Sequence, residues 1–164
     1  MKQNGFSLME LVVVLVIIGL ALSLVTPSLN RLSKTIELKA SAREISGMLR
    51  YYRSDAIQKR QTHQILFDQE SRELKVLLLP LEEEKTKEEE NGKRMIKKTY
   101  SLPTGIRFKE IQFEPSQTPS PLPAIEFYPG GGSNGGYFHL DTPDHKGYRI
   151  KVHFVTGIVE VEES

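Results

Sequence analysis

From Leu11 to Val25 every position is apolar except Gly19 and Ser23, so this stretch has no polar face. A helix that is apolar all round is covered by lipid or by other helices. Alone it would span roughly 22 Å, short of the ~30 Å hydrocarbon core, and a full span has to recruit Phe6 to Met9 and with them Glu10. Beyond it the pattern narrows to a stripe at spacings of three and four: Val25, Leu29, Leu32 and Ile36, then after a shift of phase Leu38, Ala42, Ile45, Leu49, Tyr52 and Ala56. This spacing predicts that the helix continues to Arg60. Its first part would pack on partner helices and its second on the rest of the chain, with a coiled-coil seam as the competing reading. Unbroken from Phe6, it would reach about 80 Å. Pro27 removes one backbone donor and is expected to kink it where it leaves the lipid.

At Gln61 the period changes from helical to alternating. Ile65 and Phe67, then Leu74, Val76 and Leu78, read as a hairpin across Asp68 to Arg72; Lys109 to Phe113, Ala124 to Tyr128 and Tyr137 to Leu140 read as short strands. Ile150, Val152 and Phe154 alternate with Arg149, Lys151 and His153, and Thr156-Gly157 turns the chain into Ile158 to Val161, a hairpin with one buried face. The predicted class is therefore α+β: a long, partly transmembrane N-terminal helix packed on a small antiparallel β-sandwich or sheet. Two segments interrupt the strands. Glu82 to Arg94, EEEKTKEEENGKR, reads as a solvated hairpin loop, and Pro115 to Pro123, PSQTPSPLP, as a stiff bare connector.

Composition narrows the partners. The 164 residues allow one ordinary domain plus an extension, and 22 Lys+Arg against 21 Asp+Glu leave a net charge of +1, no field for nucleic acid. Without cysteine there is no disulfide, thiolate metal site or cysteine nucleophile.

A charge inside an apolar span costs on the order of 2.5 to 3.5 kcal/mol at its centre and less near an end, so Glu10 requires a reason. One is a helix start, with Ser7 accepting from the Glu10 amide, Glu10 reaching back, and Phe6 stapled to Leu11. Another is a secretory signal peptide cut after Ala21-Leu22-Ser23, although an acid at the mouth of its apolar region and the continuing helical pattern argue against it.

The third reading is a resemblance. Gly5-Phe6-Ser7-Leu8-Met9-Glu10-Leu11 resembles the G-F-[ST]-L-x-E-[LM] signature of type IV prepilins and type II secretion pseudopilins. The resemblance implies that a prepilin peptidase cuts between Gly5 and Phe6 and methylates the Phe6 amine. The new amine stays cationic, with a pKa near roughly 8, and Glu10 of a neighbouring subunit would neutralise it in the bilayer.

The segment YPGGGSNGGYFHL offers two enzymatic patterns. Gly130, Gly132 and Gly135 satisfy G-x-G-x-x-G, and Gly131-Gly132-Ser133-Asn134-Gly135 fits G-x-S-x-G, with His139, His145 or His153 as a base. Both patterns demand a following helix where the sequence predicts a strand. The plain expectation is a mobile, solvent-exposed glycine loop, Gly130 to Gly136, and as such a candidate recognition loop. Ala124 to Pro129, the loop, a strand and the closing hairpin are similar to the C-terminal part of the GspH/FimT family, the H-type minor pseudopilins and their pilus relatives.

That resemblance implies a non-enzymatic subunit of the type II secretion pseudopilus, helping to export folded proteins. Its parts would be a leader, 1–5, a transmembrane helix, 6–26, a periplasmic helix, 27–60, and a β-rich domain, 61–164. It would be a single-pass protein of the bacterial inner membrane. The partners would be the peptidase, other major and minor pseudopilins, the secretion machinery and its cargo. A minor pilin of a type IV pilus or DNA-uptake machine is the alternative, in which either Lys93, Arg94, Lys97 and Lys98 or Arg50, Arg53, Lys59 and Arg60 would contact phosphates; a serine hydrolase using Ser133 is a third. No cofactor, structural metal or nucleic acid is expected, with Asp141 and Asp144 keeping only a weak calcium reading.

Overall fold

The computed structural model describes residues 7–79, 96–143 and 145–164, the side chains of 22–32, 145 and 146 excepted. The expected charged loop at 82–94, and with it Lys93 and Arg94, lies outside these residues, as do Gly5, Phe6 and Asp144. The chain divides into two compact units, Met1–Ile36 and Glu37–Ser164.

One helix, α1, runs Leu8–Lys59. Ser7 caps it, but not as the capping box predicts. Its Oγ accepts from the Met9 amide at 3.2 Å, while its carbonyl oxygen takes the Glu10 and Leu11 amides at 3.0 and 3.2 Å. A serine cap can serve either of the second or third helical amides, and here it serves the nearer. In the first unit the side chains from Ser7 to Ala21 are all exposed. Among the described residues no helix is long and apolar enough to cross a membrane. The described apolar side chains, Leu8 to Ala21, cover only ~21 Å of helix.

Among the described residues the second unit holds the C-terminal part of α1 and eight strands. These are β1 His63–Asp68, β2 Glu73–Leu78, β3 Ile96–Ser101, β4 Arg107–Phe113, β5 Ala124–Phe127, β6 Gly136–Thr142, β7 His145–Val152 and β8 Val159–Glu163. They form two four-stranded antiparallel sheets, ordered β3-β2-β1-β5 and β4-β6-β7-β8. The predicted stripe Leu38, Ala42, Ile45, Leu49, Tyr52, Ala56 is buried along its whole length, and it joins Ile65, Phe67, Ile125, Phe138 and Ile150 of both sheets in one core. Phe67 stands at its middle, with the Phe108, Phe113 and Phe138 rings at 4.8 to 5.5 Å in edge and tilted arrangements. The helix ends at Lys59, and Arg60 takes up φ 52°, the left-handed conformation of a helix C-terminus.

Three expectations change. The alternation that placed Phe154 on the buried face stops at Val152, where β7 ends; the chain turns at His153, and Phe154 is 64% exposed. The proline segment is anchored instead of bare. Gln64 Nε2 donates to Thr118 O at 2.9 Å, the Phe67 amide donates to Pro123 O at 2.9 Å, and the Gln117 and Thr118 amides donate to the Glu126 carboxylate at 2.8 and 3.0 Å. The glycine loop is not a solvent-exposed loop, because most of it is buried.

Candidate functional site

The glycine segment is built around Asn134, which is 1% exposed. Its Oδ1 accepts the Glu126 amide at 2.8 Å, and its Nδ2 donates to Glu114 O at 2.7 Å and to Ala124 O at 3.0 Å. One side chain thereby satisfies the outer edge of β5 and the end of β4, which belong to different sheets. A buried amide with both ends occupied orders the backbone it touches, since each group left unpaired would forfeit its hydration. Asparagine is the residue that offers an acceptor and two donors on so short a stem.

Ser133 is equally buried. Its Oγ accepts the Gly135 amide at 3.0 Å and lies 3.5 Å from Asn134 Oδ1, and its own amide donates to Phe154 O at 2.9 Å. The strand β6 follows, not a helix, so neither the nucleophile elbow nor the dinucleotide turn is present. His139 lies instead against Ser164 Oγ at 3.3 Å and Glu110 at 3.9 Å, and His153 lies 2.9 Å from Glu160. Of the seven residues Gly130 to Gly136, only Gly130 is exposed; Gly131, Ser133, Asn134 and Gly135 are buried, and Gly132 and Gly136 are half-buried. Gly135 needs its glycine: at φ 76° a side chain there would press on the backbone of Phe154.

Glu126 is the buried carboxylate beside this segment. It accepts from Gln64 Nε2 at 3.1 Å and from the Tyr128 hydroxyl at 3.2 Å as well as from the two amides of the proline segment. Burial and the charge of Glu126 push the Tyr128 hydroxyl up to about 12.

A second polar cluster lies under the end of α1. Asp55, 7% exposed, meets Lys59 at 2.7 Å, Lys97 at 3.2 Å and the fully buried His63 Nε2 at 3.0 Å. Burial raises the Asp55 carboxyl, but the hydrogen bonds from Lys59 and Lys97 outweigh it and hold it below its ordinary value. Desolvation lowers His63, with the Asp55 charge opposing. Lys59 and Lys97 pair with Asp55, Lys98 lies over the Tyr100 ring, and Arg50 and Arg53 donate to carbonyl oxygens of Val159, Gly131 and Thr156. Asp141 pairs with Arg107 at 2.7 Å. Among the described residues no three His, Asp or Glu side chains gather in a way that would hold a metal.

At the N-terminus Glu10 is exposed one turn into α1, and the backbone at Pro27 is helical.

Residues 1–26 match the prokaryotic N-terminal methylation motif. No curated protein matches the chain. Among solved structures, the minor pseudopilin EpsH from the type 2 secretion system of Vibrio cholerae superposes with a TM-score of 0.58 at 16% identity, over 77% of this chain and 96% of that one. The type IV minor pilin FimU of Pseudomonas aeruginosa strain PAO1 gives 0.54 at 17% identity, over 79% and 90%. The fold, a helix followed by antiparallel sheets, is therefore pilin-like.

Proposed function

We propose that the chain is a minor pseudopilin, a structural and non-enzymatic subunit of a type II secretion pseudopilus that helps to export folded proteins. A prepilin peptidase cuts it between Gly5 and Phe6 and methylates the Phe6 amine. Residues 6–26 hold it in the bacterial inner membrane, Pro27 bends the helix at the exit, and the β-rich domain stands in the periplasm among other pseudopilins. Glu10 then neutralises the methylated amine of a neighbouring subunit, a pairing that sets axial register because either charge left alone in lipid is costly. Within this reading Gly130 is the exposed contact point of the glycine loop, and the buried residues after it hold it in place.

The observation that supports this reading most is the joining of a methylation motif over residues 1–26 to a helix whose described side chains from Leu8 to Ala21 all lie open. A helix with no polar face has no stable place in water and is completed by lipid and by like helices. Mass spectrometry of the chain recovered from native membranes tests it. A mature chain beginning at methylated Phe6 is expected; one beginning at Leu24 would mean a signal peptide and overturn the reading.

The pilus alternative has its own support, because the FimU fold superposes nearly as well as that of EpsH. Disrupting the gene separates the two. Loss of an exported protein with surface fibres intact supports secretion, and loss of fibres or DNA uptake supports the pilus machine.

A further inference from the structure

The hairpin between β7 and β8 presents a cluster of apolar side chains to solvent. Phe154 is 64% exposed, Val155 79% and Ile158 48%, and Ile57 of α1, at 40%, lies beside Gly131 under the same tip. Scattered apolar residues on a surface are ordinary, whereas contiguous apolar patches mark interaction sites as they grow beyond a few hundred Å². This one is also held rigid. The Gly157 amide donates to His153 O at 2.8 Å, the Ser133 amide to Phe154 O at 2.9 Å, and Arg53 Nε to Thr156 O at 2.8 Å. These bonds fix the backbone of the tip, and a preorganised surface loses little entropy on binding.

Beside this knob is an open cleft of about 710 Å³, with Ile111, Phe113 and Leu122 in its walls and Gln112 and Glu114 exposed at its rim. A site of roughly 300 to 1,000 Å³ encloses a drug-sized molecule, so two side chains fit with room left. Knob and cleft are neighbours: Gly135 packs on the Phe154 backbone, and Gly136, the next residue, lines the cleft. Their charges are opposite. Among the described residues Arg50 and Arg53 flank the knob with guanidinium groups bonded to carbonyl oxygens and to no carboxylate, and Glu114 at the rim has no ion-pair partner.

We propose that this face pairs two copies of the chain, each seating Phe154 and Val155 in the cleft of the other. Convex and concave parts that adjoin on one molecule are the arrangement that a two-fold axis satisfies twice, every contact being made reciprocally. The doubled contact moves the buried area toward the ~800 Å² per partner of a stable complex. The arginines of each copy then face Glu114 of the other. The inference rests on the proposed assembly role only for its membrane setting.

The chain has no cysteine, so introduced ones report without background. Full-length Val155→Cys and Gln112→Cys variants carrying different tags are produced together in a bacterial host and oxidised in the membrane. A disulfide-linked dimer bearing both tags is expected, and a Glu70→Cys variant in place of Gln112→Cys gives none. Adding Glu114→Lys lowers the yield several-fold, because the rim then repels the arginines. Absence of the mixed dimer in chains that stay folded and membrane-bound overturns the pairing, and so does linkage to a different protein. The N-terminal mass is read in the same sample. A methylated Phe6 without the dimer sinks the pairing and leaves the assembly role, whereas the dimer without processing does the reverse.

Discussion

His63 Nε2 stands 3.0 Å from Asp55 Oδ2 at a place where the imidazole has no exposed surface, and Nδ1 has no hydrogen-bond partner among the described residues. A protonated His63 would add a third cation to Lys59 and Lys97 around one carboxylate, without water to screen it. The ring is therefore kept neutral by the fold.

Its consequence is a pH dependence of stability. His63 is lowered from 6.5 in the fold, so the unfolded chain binds the proton first and the fold is progressively weakened as pH falls from about 6.5 toward the lower folded value. Asp55 is lowered from 3.8, which adds a second loss of the same sign below that value. Thermal melts of the detergent-solubilised chain should be flat from pH 7 to 8 and fall between 6.5 and 5. In His63→Gln that first fall should shrink, and an unchanged pH profile would refute the assignment.

Asn134→Ala leaves the Glu126 amide and the carbonyls of Ala124 and Glu114 without their partner. With each buried group costing ~1–3 kcal/mol and the three not additive, a loss of about 3 kcal/mol is expected in urea unfolding. Asn134→Asp should be no better, because an oxygen would then face two carbonyl oxygens.

Leu49, wholly buried in the core under both sheets, should cost about 2–5 kcal/mol when truncated to Ala. Ile57→Ala, on a residue 40% exposed, should cost far less. Equal losses in denaturant titrations would mean that α1 does not pack as described.

Glu10→Leu separates assembly from folding. The second unit should melt at the wild-type temperature and the cut at Gly5-Phe6 should still occur, while recovery of the chain with other pilin-type subunits drops. Normal recovery would remove Glu10 from the assembly contact.

The helical stripe was legible because burial on one side leaves a period of three and four: Leu38 to Ala56 alternate with charged residues and could face only one way. The N-terminal signature was legible because a carboxylate such as Glu10 in an apolar run has few physical excuses. The rest was hidden for identifiable reasons. The edge strand β3, IKKTYS, is largely exposed and carries no apolar alternation to betray it. Phe154 continued the alternation of β7 by residue type alone, although the chain had already begun to turn. Glycines around Ser133 and Asn134 suggested freedom of motion, whereas their small size admits close backbone approach, which Asn134 then fixes with side-chain hydrogen bonds. His63 gave no sign at all, since its partner Asp55 sits on a different element and only the fold brings them together.

The stripe from Leu38 to Ala56 lies inside the same core as the two sheets, and this gives the second unit a mechanical character. A pull along the axis of α1 would load all of those side chains at once, in shear, instead of peeling them away one contact after another. Rupture then requires sliding many interlocked residues together, so the anchorage of this helix segment should hold against tension better than the hydrogen bonds of Arg50 and Arg53 to Val159, Gly131 and Thr156 alone imply.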